Sequence, residues 1–178
     1  MAEDKKEPWL NYLALTTVLF AVCATLSTFK GGGYSTRSVM SQSQASDQWA
    51  YFQAKGIKSY MYQMQLEKLE LESRGLGKGA ASPATDAYQA KIAEYRKKVE
   101  KYEKEKTEIQ QEAKRLEAAR DEAQLHSKTF GIAVIYLQIA ILLSSIAGLL
   151  KKKPVWYTGV AAGVMGIVYF ADGFFMFL

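Results

Sequence analysis

The sequence holds one cysteine and one histidine, little for metal or nucleophilic chemistry that depends on them. Cys23 alone cannot close an internal disulfide or build a cysteine-based zinc site, and its place inside an apolar run suits a small packing residue. With His126 as the single histidine, no two-histidine metal site or paired-histidine relay exists within one chain. A nucleophile–base pair would also need His126, and no serine elbow or second base stands near it in sequence. Proline is scarce too: Pro8, Pro83 and Pro154 all fall at segment edges, where helices start or stop. Nor is there a large excess of one charge. The formal net charge of +5 comes from 23 basic and 18 acidic residues, interspersed rather than gathered into a basic patch. That argues against nucleic acid as a partner. The expectation is a protein that is not an enzyme, with no cofactor and no metal.

What the sequence does have is segregation. A mean hydropathy of −0.13 resembles that of a soluble protein, yet residues 9–29, 130–150 and 155–178 carry almost no charge while the residues between them are dense with it. About 20 helical residues cross a hydrocarbon core of about 30 Å. The chain therefore reads as all-α: an integral membrane protein with three transmembrane helices and a long antiparallel coiled-coil hairpin stalk. Its parts are an N-terminal tail (1–8), the first span (9–29), the stalk (30–129), the second span (130–150), a tight loop (151–154) and the third span (155–178). The first run is longer than the apolar core of a signal peptide, so an uncleaved anchor is expected. Lys151, Lys152 and Lys153 share a side with Lys5 and Lys6 across an even number of crossings. The positive-inside rule then puts the N-terminus in the cytoplasm and the stalk outside it.

Within the stalk, arms at 35–73 and 83–129 flank a loop at 74–82. In the second arm Tyr88, Ile92, Tyr95, Val99, Tyr102, Ile109, Ala113, Leu116 and Ala123 advance by heptad spacing, with Lys106 and Arg120 filling the seam between. Such 3–4 spacing on a Glu/Lys-rich background is the pattern of a coiled coil. Three tyrosines and two cations make this seam partly wet. The first arm carries Ala50, Ile57, Met64 and Leu71 at sevens, flanked by Trp49, Phe52, Tyr60, Met61 and Tyr62, above a polar stretch from Ser41 to Gln48. Folding about Gly75–Gly79 sets Tyr62 level with Tyr95, and Phe52 or Lys55 level with Tyr102. Ser82-Pro83 supplies a helix start. The second arm is expected to run on into the second span, whereas Lys30-Gly31-Gly32-Gly33 is expected to break the first arm from the first span. Gly75-Leu76-Gly77-Lys78-Gly79 lacks the spacing and the Ser/Thr of a phosphate-binding loop.

Two strings are distinctive: Gly31-Gly32-Gly33-Tyr34-Ser35-Thr36, and Ser46-Asp47-Gln48-Trp49-Ala50-Tyr51-Phe52-Gln53-Ala54-Lys55. With them the chain resembles, over nearly its whole length, a bacterial membrane family catalogued as domain of unknown function 4337. The resemblance implies a bacterial inner (cell) membrane and carries over no activity, ligand or catalytic residue.

The candidate residues are accordingly structural. Asp172 is the only charge in the third span, and an intramembrane carboxylate calls for a partner. Lys30 is the first choice, followed by Lys128 and Arg37. Gly159 and Gly163 form a GxxxG that lets helices approach closely. Gln138 suits an interhelical hydrogen bond. Tyr88, Tyr95, Tyr102, Ile109 and Leu116 offer a seam for a second copy. The expected role is a homo-oligomeric scaffold joined through stalk and third span, alone or in a larger membrane complex. The alternative is a pore or transporter component with Asp172 near the permeation path.

Overall fold

The computed structural model describes residues 8–75 and 83–178. The tail with Lys5 and Lys6, most of the 74–82 loop and the Ser82 cap lie outside the described residues. Three helices account for almost everything within them: α1 (Pro8–Gly75), α2 (Pro83–Leu150) and α3 (Lys153–Phe175). Each contains a stretch long and apolar enough to cross a membrane. Continuity of α2 from the charged arm into the apolar segment matches expectation.

Continuity of α1 does not. Gly31, Gly32 and Gly33 are helical, so the expected break is absent. Three glycines cost a helix about 1 kcal/mol each relative to alanine, but packing outweighs that here. Gly31 is buried against α2, where a Cβ would stand 3.0 Å from Phe130 Cβ, and Ser127 Oγ donates to the Gly31 carbonyl at 3.1 Å. Leu150 ends α2 in a tight turn: Lys151 takes left-handed backbone (φ 50°) and Lys152 N–H reaches back to the Ala147 carbonyl. Pro154 then sits in the first turn of α3. The last helix stops at Phe175, short of the expected 178, because Met176 is left-handed.

The chain divides into two units, 1–40 with 119–178, and 41–118. The first is a three-helix packing with an unusual interior. Beside Trp9, Phe20, Phe130, Leu137 and Asp172, its buried residues are small: among them Ala24 and Ser27 from α1, Ala133, Ala140, Ser144 and Ala147 from α2, and Gly159, Gly163, Gly166 and Gly173 from α3. Large apolar side chains point away from it. Leu149 is 84% exposed, Phe29 77% and Leu15 68%. Hydroxyls along these segments donate to their own helix, as Thr17 does to the Leu13 carbonyl at 2.7 Å and Ser27 to that of Cys23 at 2.8 Å.

In the second unit α1 and α2 run antiparallel, with cross-helix contacts at steadily opposed positions: Trp49 with Glu117, Lys55 with Glu105, Ser59 with Glu103, Tyr62 with Tyr95, Glu70 with Arg96. The anticipated register holds, since Tyr62 lies 5.4 Å from Tyr95 ring to ring and Lys55 Nζ 5.3 Å from the Tyr102 ring. On α2 the inward positions follow the heptad reading, Ile92, Ile109 and Ala113 being buried. On α1 they do not follow the sevens. Ser41, Ala45, Phe52, Lys55, Ser59 and Tyr62 face α2, while Ile57, Met64 and Leu71 are more than 60% exposed.

Candidate functional site

Three helices converge at the C-terminal end of α3. Gly173 lets α2 approach so closely that a Cβ there would stand 2.7 Å from the Phe130 ring. Phe130 packs edge-on against Phe174 and stacks on Tyr34 of α1. Tyr34 in turn stacks on His126 at 4.5 Å, and His126 Nδ1 donates to the Gly173 carbonyl at 2.8 Å. That bond fixes the proton on Nδ1, because a carbonyl can only accept. His126 is thus half-buried and structural.

Asp172 belongs to the same junction, but not as an ion pair. It is 4% exposed, and its Oδ1 accepts the backbone N–H of Phe177 at 2.6 Å and of Leu178 at 2.8 Å. Its backbone carbonyl takes the N–H of Met176 at 2.7 Å. The carboxylate closes the end of α3 by serving donors that the left-handed turn at Met176 leaves without helical partners. Neither Lys30, Lys128 nor Arg37 makes an ion pair with it among the described residues; Lys30 Nζ lies 5.9 Å from the Phe174 ring instead. The expected cation is replaced by backbone. Chain wrapping back over its own helix end supplies the carboxylate with two donors, an outcome spacing alone does not reveal.

Gly159 and Gly163 do permit close approach, but inside the chain. At Gly159 a Cβ would meet Leu143 Cβ at 3.1 Å and the Ala140 carbonyl at 3.2 Å, and at Gly163 the Phe20 ring occupies the space. Within the chain this glycine face is covered by α1 and α2. The indole N–H of Trp156 ties α3 to α1 through Thr16 Oγ1 at 3.2 Å. Gln138 faces outward and makes no hydrogen bond among the described residues, contrary to the interhelical bond expected within the chain.

The hairpin seam is consumed in the same way. Ile109 is buried, and Tyr88, Tyr95, Tyr102 and Leu116 are half-buried on the side of α2 that meets α1. Within the chain this face meets α1. Its polar content is satisfied by cross-helix pairs. Glu105 accepts from Lys55 at 2.5 Å, which lowers the carboxyl pKa and raises that of the amine. Ser59 Oγ donates to Glu103, the largest cause of that carboxyl's lowered pKa, with Lys106 adding to it. Lys98 packs on Tyr62 and Tyr95.

Two surfaces remain unexplained by packing within the chain. One is the outer face of α1 in the second unit. Ala50, Ala54, Ile57, Met61 and Met64 keep 3–4 spacing along it, with Leu71 a further seven residues on, all exposed. The described large hydrophobics exposed in this unit lie on α1, and none on α2. The other is an open groove of about 670 Å³ along α1 in the first unit, lined by Thr28, Phe29, Lys30, Gly32, Gly33, Tyr34, Thr36 and Arg37. Among the described residues no group of three His, Cys, Asp or Glu is placed to hold a metal.

Neither the curated proteins nor the solved structures contain a significant match to this chain. A family described as Domain of unknown function (DUF4337) matches residues 9–176, nearly the whole length and including both distinctive strings. The chain belongs to the DUF4337 family.

Proposed function

We propose that this protein is a membrane-anchored structural protein that self-associates through the outer face of α1, with no catalytic role. The observation that carries this reading is where the large apolar side chains point. In the first unit they face outward on all three helices around an interior of glycine, alanine and serine. Water would penalise that arrangement at roughly 25 cal/mol per Å² of apolar surface. A bilayer favours it, since helices in lipid associate through small residues that permit close packing. Aromatic clusters suit the two interfaces: Trp9, Trp156 and Tyr157 at one end, Tyr34, Phe130 and Phe174 at the other. The lysines at 151–153 favour the cytoplasmic side of a bacterial cell membrane for the α2–α3 turn.

In the second unit the uncovered stripe from Ala50 to Leu71 has the spacing of a second helical seam. Its occupant is a second copy. This arm of α1 balances Asp47, Glu67, Glu70 and Glu72 against Lys55, Lys58, Lys68 and Arg74, so it selects neither an acidic nor a basic stranger but complements itself. Outward Gln138 gives the apolar unit a polar group whose partner would come from a neighbour.

Ile57→Asp with Met64→Asp should lower the mass of the detergent-extracted particle while helicity is kept. Unchanged mass would overturn self-association through α1. Release of the protein from membranes by alkaline carbonate would overturn the anchor.

A further inference from the structure

Three consecutive glycines in a continuous helix need separate accounts. Gly31 has one, in the contact with Phe130 and Ser127. Gly33 has none inside the chain: it is exposed, and nothing lies within 4 Å of where its Cβ would be. Lys30, Gly33 and Arg37 stand at i, i+3 and i+7, hence on one helical face. The two cations are about 10 Å apart along the axis, two turns, with the missing side chain between them. Both are exposed, and neither has an ion-pair partner among the described residues. The groove they line contains no carboxylate. Asp172, the acidic partner that the sequence suggested for these cations, already serves Phe177 and Leu178.

We propose that Lys30, Gly33 and Arg37 form a slot for a phosphate-bearing anion, with the two cations flanking bare helix at Gly33. A phosphate group in the slot can take a hydrogen bond from the Lys30 ammonium and a forked pair from the Arg37 guanidinium. Any side chain at position 33 would stand between them. Phe29, also lining the groove and 77% exposed, gives it an apolar end where the first apolar segment stops. The chemistry fits the headgroup of an acidic phospholipid, and equally free phosphate. Only the lipid source rests on the membrane reading above.

The test is native mass spectrometry of the full chain in detergent, with phosphatidylglycerol or phosphatidylcholine added. Wild type should retain phosphatidylglycerol about tenfold better. Lys30→Gln with Arg37→Gln should abolish the preference. So should Gly33→Leu, which fills the slot without touching charge and whose Cβ meets no neighbour in the fold. Neutralising Lys151, Lys152 and Lys153 to glutamine should leave it intact. A Gly33→Leu protein that binds like wild type would overturn the slot, as would an equal loss from the three-lysine variant, since either outcome means diffuse charge alone. Displacement by millimolar inorganic phosphate would assign the slot to the free anion, and retention against it to the lipid. Particle mass in the same spectra reports self-association independently, so failure of one idea is visible apart from the other.

Discussion

Placing a single methyl group at Gly166 and at Gly33 should move stability in opposite directions. Both are helical glycines, so alanine brings each the same propensity gain, about 1 kcal/mol. At Gly33 nothing opposes it, because the space is open. At Gly166 the new Cβ would lie 2.7 Å from Leu137 Cγ and 3.0 Å from the Leu137 backbone nitrogen. A backbone atom cannot rotate away, so α2 and α3 must separate locally. Overpacking of this kind costs about 1–3 kcal/mol. The difference between the two variants cancels propensity and leaves that cost. Gly166→Ala should therefore unfold about 1–3 kcal/mol more easily than Gly33→Ala. Thermal unfolding in one detergent can be followed by Trp9 and Trp156 fluorescence in a Trp49→Phe background, which restricts the signal to the first unit. If Gly166→Ala proved as stable as Gly33→Ala, α2 and α3 would not approach as described.

Asp172→Ala should destabilise the end of α3 by about 1–3 kcal/mol, the cost of leaving its backbone donors unpaired. Asp172→Asn, which keeps an acceptor oxygen, should cost less. Either change should be additive with Lys30→Gln to within about 0.5 kcal/mol, and coupling beyond that would restore the ion pair. The hairpin should weaken in acid. Glu94 is held down at about 2 by hydrogen bonds from Lys98 and then Lys91, and Glu103 and Glu105 are lowered too. A carboxyl lowered on folding stabilises above its unfolded value near 4.5 and loses that contribution as pH falls through its folded value. Helicity of the second unit measured between pH 5 and 2 should decline, less so in Glu105→Gln; a flat profile would mean the pairs contribute nothing. Ile109→Asp with Leu116→Asp should melt the hairpin itself, in contrast to Ile57→Asp with Met64→Asp, and circular dichroism separates the two.

The sequence disclosed α2 better than α1 for a physical reason. On α2 the inward positions are also the apolar ones, so Ile92, Ile109 and Ala113 announce their face. On α1 the two properties part company. Inward Lys55 and Ser59 answer Glu105 and Glu103, whereas the apolar sevens at Ile57, Met64 and Leu71 look outward. A periodicity argument sees hydrophobicity and not pairing, which is why the arm's register was readable from Tyr62 and Tyr95 but its facing side was not. The glycine triplet misled similarly. Propensity treats Gly31 as a liability, and only the tertiary contact with Phe130 shows it as a seat. For Asp172 the decisive partners were backbone amides five and six residues on, groups that carry no signature in sequence.

The first unit is stitched from two stretches of chain, 1–40 and 119–178, with the whole hairpin between them. Its interior therefore cannot form in the order in which a ribosome delivers it. Phe20 emerges long before Leu137, and Gly163, which seats the Phe20 ring, emerges later still. Closing so long a loop by chance carries an entropy cost that grows with its length. Zipping the hairpin from its loop end, one short step at a time, brings Met40 and Ala119 together without that search. The hairpin is then an assembly jig as much as a finished part. Loosening it at Ser59 or Tyr62 would delay burial of Phe20 during biosynthesis, leaving the earliest apolar segment waiting without its neighbours.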